Sequence, residues 1–291
     1  MAAAFVAERW TREGSSLAVV KVLRDPTPAE RLFPLRERSG MLGALRHRHI
    51  VTVDQVVDID GHFGLLAPYV DGMDLLDWMG VLREQGTTVP PRVVCEVLRA
   101  IAVALDAALS RVPWGEDDAL ALPHGDLKPG NVMVDRDGEL KVLDFGTGAS
   151  ALAMEEVPNV RSARTYMAPE RAATGPTQEA DVYALGIMGI ELLADRWIHG
   201  ISENVEDHDL QLGQLVKRLD FTMRSEADEQ TLRSLLLKMV AHAPSARPRA
   251  AVVAQTLRRL ADRAPGPSLE SFAHEHCLPY LSNVPENPDT G

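Results

Sequence analysis

The sequence predicts an α+β fold in two lobes, a small β-rich lobe over residues 1–70 and a larger helical lobe over 71–263, with a cleft between them. Three observations carry this. β-Branched apolar runs crowd the first lobe, apolar residues at helical spacing dominate the second, and a polar stretch rich in Asp, Gly and Pro interrupts the helical pattern early.

Leu17-Ala-Val-Val-Lys-Val-Leu23 is a short apolar run suited to a buried strand. Over 30–46 the period changes, and Leu35, Met41, Leu42 and Leu45 fall near one helical face. Residues 51–59 and 63–70 read as two strands joined by a turn at Asp60-Gly61. Pro90-Pro91 then opens a helix over 92–110, with Val94, Leu98, Ile101, Leu105 and Leu109 on one stripe. A Pro/Gly/Asp-rich connection over 113–123 leads to two short strands, 132–134 and 140–143, around an Asp137-Gly138 turn. Helices are expected at 179–194, 208–219, 229–242 and 249–262. From Ala264 onward Pro, Ser and Asn accumulate, which predicts a flexible extended tail over 264–291.

Composition narrows the function classes. The formal net charge of -12 argues against a nucleic-acid partner, because binding a polyanion needs excess positive charge. No apolar run reaches the roughly 18–20 residues of a membrane span. The N-terminus lacks the basic region of a signal peptide. Cys95 and Cys277 are too few for a disulfide framework, so a cytoplasmic location is expected, with Cys95 a structural thiol in an apolar helix.

The chemistry concentrates in His124-Gly-Asp-Leu-Lys-Pro-Gly-Asn131, followed thirteen residues after Asn131 by Asp144-Phe-Gly146. Phosphoryl transfer needs a positioned hydroxyl, divalent metal on the phosphates and positive charge for the transition state. Asp126 is placed to take a hydroxyl proton, and Lys128, two residues on, to reach the transferring group. Asn131 and Asp144 offer the hard oxygen ligands that Mg²⁺ prefers.

With these motifs the chain resembles the eukaryotic-like Ser/Thr protein kinases of bacteria over about residues 4–262. Ala18-Val-Val-Lys21 looks like the third-strand Lys motif, Tyr69-Val-Asp-Gly72 like the hinge, and Met167-Ala-Pro-Glu170 like the close of the activation loop. Asp181-Val-Tyr-Ala-Leu-Gly186 looks like the start of the long buried helix, and Arg247-Pro248 like the late Arg. The resemblance implies a bilobal protein-kinase-like fold, ATP with Mg²⁺ or Mn²⁺, and a protein substrate. It makes Lys21 a partner of the α- and β-phosphates, Pro68 and Val70 hinge contacts to adenine, and Asp74 a ribose contact or a helix N-cap. Ala67 falls at the gatekeeper position, and Glu170 and Arg247 become a buried ion pair. His-Gly-Asp-Leu-x-Pro-Gly-Asn is also similar to small-molecule kinases of the aminoglycoside and choline type. Those lack the Ala-Pro-Glu segment and the Asp-Val-x-x-Leu-Gly helix present here.

Four departures from the family pattern bear on activity. Gly125 replaces an Arg that receives a phosphorylated activation loop. Ala163 stands where a Thr bonds the catalytic Asp, with Ser162 or Thr165 as substitutes. Arg38 falls at the helix Glu position, Glu37 being one residue off register. Finally, Gly14 is the sole glycine before Lys21, and Phe5-Val-Ala-Glu8 looks like the second strand, so Met1 is expected to lie inside the glycine-rich loop. The sequence thus carries two functional readings: a protein Ser/Thr kinase, and a pseudokinase or regulatory module that binds nucleotide or a partner without useful turnover.

Overall fold

Two β-rich segments begin the chain and pair with each other. Ala2–Thr11 (β1) and Gly14–Leu23 (β2) run antiparallel, from Ala2 opposite Leu23 to Thr11 opposite Gly14. In this computed structural model, residues 2–11, 14–23, 46–59, 62–110, 113–114, 118–119, 122–145 and 164–281 are described. The helix expected at 30–46 and the Asp60-Gly61 turn lie outside them. Gln55–Ile59 (β3) and His62–Pro68 (β4) complete a sheet of order β1-β2-β4-β3.

Register sorts this sheet into two faces, because residues directly opposite each other share a face. Val6, Val19 and Ala67 form one row across β1, β2 and β4, and Ala4, Lys21 and Leu65 form the next on that same side. The other side carries Ala18, Val20 and Leu66, all buried, with Ala7, Val22 and Val57 packed around them. One side is therefore a small core, and the other displays Lys21.

Gly72–Asp74 (β5) leads into Leu75–Glu84 (α1), whose N-terminus is capped by the Asp74 side chain accepting from the Asp77 N–H at 2.9 Å. Pro91–Ser110 (α2) follows, buried along most of its length. Pro113–Trp114 (β6) and Asp118–Ala119 (β7) pair within the connection. Val132–Asp135 (β8) and Leu140–Val142 (β9) pair across the predicted Asp137-Gly138 turn and, with β5, make a sheet of order β5-β8-β9.

The rest is helical: Arg171–Thr174 (α3), Gln178–Ala194 (α4), Val205–Lys217 (α5), Glu226–Met239 (α6) and Ala250–Ala261 (α7). The helices predicted at 92–110, 179–194, 208–219, 229–242 and 249–262 all occur, with ends displaced by up to three residues. α4 is the axis of the lobe and is buried on every side from Ala180 to Leu193. Its apolar residues follow no single stripe because there is no solvent face to spare. Gly189 lets α2 approach it: a Cβ there would lie 2.7 Å from Leu98 Cδ1.

The segment expected as an extended tail is in part a packed helix. Leu269–His276 (α8) is capped by Ser268, and Phe272, Ala273 and Cys277 are buried in the main core. Phe272 meets Trp78 of α1 edge-on at 5.7 Å, and the Cys277 thiol accepts the Met73 N–H of β5. Pro265, Pro267 and Ser268 form the approach to this helix, and their composition masked a short apolar spacing at Leu269, Phe272 and Ala273.

Candidate active site

The turn at residues 124–131 is held by its own backbone. His124 is fully buried, packs 4.8 Å from the Phe145 ring, and sets Nε2 2.7 Å from the Leu143 carbonyl. Burial lowers its pKa, so the neutral ring donates through Nε2–H and accepts the Asp126 N–H at Nδ1, 3.2 Å away. Beneath it Asp181, near the start of α4, accepts the His124 N–H at 2.7 Å and the Gly125 N–H at 2.8 Å. Burial pushes the Asp181 carboxyl up to about 7, against the pull of those two N–H groups. Gly125 has φ +80°, a backbone that costs glycine little and a side-chain-bearing residue more.

Asp126 follows with its carboxylate engaged twice. Lys128 Nζ lies 2.7 Å from Oδ2, and Asn131 Nδ2 donates to the Asp126 carbonyl at 2.7 Å and to Oδ2 at 3.2 Å. Pro129–Asn131 forms a short 3₁₀ turn, closed by the Asn131 N–H on the Lys128 carbonyl at 2.9 Å. Because Asn131 uses its amide N–H groups on Asp126, its Oδ1 is the atom available to a metal. The Leu143 N–H bonds the Asn131 carbonyl at 2.9 Å, which ties the next strand to this turn. Asp144 comes directly after, in the left-handed region at φ +58°, and its carboxylate is ion-paired with Lys21 from β2.

Five predicted residues therefore meet: Asp126, Lys128 and Asn131 in one turn, Asp144 beside it, and Lys21 from the sheet above. Pro68, Val70 and Asp74 lie along the connection between the lobes. Pro68 ends β4 opposite Ala18, and Asp74 sits opposite Met133 and caps α1. Its carboxyl is raised by burial. Ser162, Ala163, Glu37 and Arg38 are outside the described residues. Thr165 commits its hydroxyl hydrogen to the Ile198 carbonyl at 3.1 Å.

The Glu170–Arg247 pair forms as expected. Arg247 Nη1 and Nη2 reach the two Glu170 oxygens at 2.6 and 2.8 Å, and its other N–H groups reach the Ala241, Glu179 and His242 carbonyls. Its side chain is 0% exposed. A cavity of about 650 Å³ opens next to this anchor, lined by Arg164, Met167, Pro169, Tyr183, His199 and Glu203 among others.

Sequence reasoning missed four positions. Val6 and Val19 stand on the Lys21 side of the sheet, and strict alternation from Lys21 would have found Val19. Asp181 was read as a helix start only; its role as acceptor for two loop N–H groups has no local sequence signal, since it lies 57 residues from His124. Arg171 bonds the Gly125 carbonyl at 2.9 Å, again from a distant segment.

Comparison with known proteins agrees with this geometry. Residues 4–257 match the family described as Protein kinase domain. The chain belongs to the protein kinase family. It is 30% identical over 194 residues to the serine/threonine-protein kinase PknE of Mycobacterium tuberculosis, covering 65% of this chain and 32% of that protein. PknH of Mycobacterium bovis is 33% identical over 190 residues, covering 64% of this chain and 29% of the relative. PrkC of Bacillus subtilis is 28% identical, covering 61% and 26%. The matched region spans about a third or less of these kinases' length. The PknI kinase domain of Mycobacterium tuberculosis shares the fold, with a TM-score of 0.60 at 23% identity over 88% of this chain and 89% of that one. Protein kinases generally use ATP and Mg²⁺, and the donor set here fits: one amide oxygen and one carboxylate suit a metal that draws its remaining ligands from phosphate and water.

Proposed function

We propose that this chain is a protein serine/threonine kinase that moves the γ-phosphoryl group of ATP to a protein hydroxyl. The observation that carries the reading is the single hydrogen-bonded turn holding Asp126, Lys128 and Asn131, linked through Leu143 to Asp144 and through Asp144 to Lys21. In this reading Asp126 accepts the hydroxyl proton as that oxygen bonds the γ-phosphorus and the bridging P–O bond to ADP breaks. Lys128 leaves its ion pair with Asp126 to meet the charge on the transferring group, and Lys21 does the same for the α- and β-phosphates. Asn131 Oδ1 and the Asp144 carboxylate would hold the divalent metal, which neutralises phosphate charge when bound. Val70 supplies an N–H and Pro68 a carbonyl to adenine, Val6 and Val19 cover it from the sheet, and Asp74 meets the ribose. The free, buried thiols of Cys95 and Cys277 fit a cytoplasmic protein, and burial pushes Cys95 up to about 12.

The test is transfer of radiolabel from γ-labelled ATP with Mg²⁺ or Mn²⁺ to the chain itself and to a generic Ser/Thr substrate. Asp126→Asn is expected to lower transfer by about 10²- to 10⁴-fold, the range of general-base catalysis, while keeping the thermal shift caused by ATP. Equal incorporation by both proteins overturns the reading. An ATP-induced shift with no Asp126-dependent transfer identifies a nucleotide-binding module without turnover.

A further inference from the structure

The Gly125 peptide is gripped from two sides. Its N–H donates to Asp181, and its carbonyl accepts Nη2 of Arg171 at 2.9 Å. Having no side chain, residue 125 offers nothing for another segment to hold except this backbone, which φ +80° keeps in a conformation suited to glycine. Arg171 opens α3 directly after Glu170, and Glu170 is locked to the buried Arg247. The guanidinium also acts electrostatically on Asp181, so one cation faces both the carbonyl and the carboxylate that fix the loop. The chain of contacts runs without a gap: Arg247, Glu170, Arg171, Gly125, and then Asp126 by a covalent bond.

We propose that Arg171 is a positioning residue for phosphoryl transfer, its guanidinium holding the Gly125 carbonyl so that Asp126 is aimed at the substrate hydroxyl. The role rests on the kinase reading given above. It also has a regulatory consequence. The end of the activation segment engages the catalytic loop through an arginine already in the fold, so this engagement needs no phosphate on the segment. The base is set by a guanidinium reaching in from residue 171 instead of by a side chain reaching out from residue 125.

The experiment compares wild type, Arg171→Ala and Arg171→Lys as full chains, with kcat, KM for ATP and Tm measured for each. Arg171→Ala should lose about 10- to 100-fold in kcat, the order of loss from a misplaced catalytic group, with KM for ATP within about twofold. Added methylguanidinium should restore part of the lost kcat in Arg171→Ala and leave wild type unchanged. Arg171→Lys should retain more activity than the alanine variant, because an ammonium still donates to the carbonyl. A kcat equal to wild type in Arg171→Ala overturns the role. So does a loss that tracks a fall in Tm and does not respond to methylguanidinium, since that describes a fold effect. A wild type with no Asp126-dependent transfer removes the kinase reading and this role together, whereas an active wild type with an indifferent Arg171→Ala removes this role alone.

Discussion

The catalytic turn and the sheet above it are built on different principles. In the turn nearly every polar atom has a buried partner: His124 lies on Leu143 and Asp126, Asp181 under two N–H groups, and Asn131 against Asp126. Among the described residues the sheet has four buried apolar residues, Ala18, Val20, Leu65 and Leu66, while Phe5, Val6 and Trp10 are all more than half exposed. Lys21 crosses from one region to the other through a single ion pair of partly exposed groups. The proposed base and metal ligands are thus pre-organised by a dense network, and the proposed nucleotide-facing surface is held by a thin one. Ion pairs in the two regions should accordingly do different work, stability in the helical lobe and ligand response in the sheet.

The largest effect tests the dense side. Glu170→Ala leaves Arg247 buried without its carboxylate and should cost about 3–5 kcal/mol, read as a fall in the urea midpoint at constant m-value. A loss below about 1 kcal/mol, the worth of a surface pair, would place the anchor outside the core and collapse the contrast.

The next effect extends the dense region to α8. Phe272 is 3% exposed and meets Trp78 edge-on, so Phe272→Ala should cost roughly 3 kcal/mol through lost burial and the cavity left behind. Because Cys277 of the same segment accepts the Met73 N–H next to Asp74, this variant should also weaken nucleotide binding slightly. A Tm equal to wild type would return residues 264–281 to the status of a dispensable tail.

These two sites also show what the sequence made legible. The Glu170–Arg247 pair was readable because both residues sit in recognisable motifs, and the gathering of Asp126, Lys128, Asn131 and Asp144 because they occur at fixed spacing. α8 was not readable, since eight residues after two prolines carry too little periodicity to outweigh their composition. Asp181 and Arg171 were missed for a different reason. Each acts on the backbone of a segment 46 or more residues away, and a bond to a peptide group leaves no mark on the residue that receives it. The faces of the sheet were half legible: alternation gives which residues share a side, but only the register of β1 on β2 sets Val6 opposite Val19.

Acidification probes the dense network through His124. Its folded pKa lies below the ordinary value of about 6.5, so between the two the unfolded chain binds a proton that the folded one does not. Its stabilising contribution is therefore complete above about 6.5 and declines as pH falls towards the folded value. Protonation would also turn Nδ1 into a donor facing the Asp126 N–H, so activity should fall with stability. His124→Phe keeps the ring against Phe145 but leaves that N–H and the Leu143 carbonyl unpaired, for a loss of about 1–3 kcal/mol at neutral pH. Its stability should decline less steeply than wild type below pH 6.5. Parallel declines would mean that His49 and His208, which burial also lowers, carry the pH dependence instead.

The smallest effect on stability is expected where the functional consequence is among the largest. Lys21 and Asp144 keep 39% and 21% of their side chains exposed, so their pair is screened by solvent. Lys21→Met should shift stability by no more than about 1 kcal/mol. The same change removes the cation paired with Asp144, and with it the group proposed to meet the phosphates. The ATP-induced rise in Tm should therefore shrink sharply in Lys21→Met while the Tm without nucleotide stays near wild type. Glu170→Ala should do the reverse, losing stability without ligand and keeping the increment due to ATP. If Lys21→Met instead unfolds the chain as readily as Glu170→Ala, the thin sheet depends on its ion pair for its own structure, and the division between a stable catalytic turn and a ligand-responsive roof disappears.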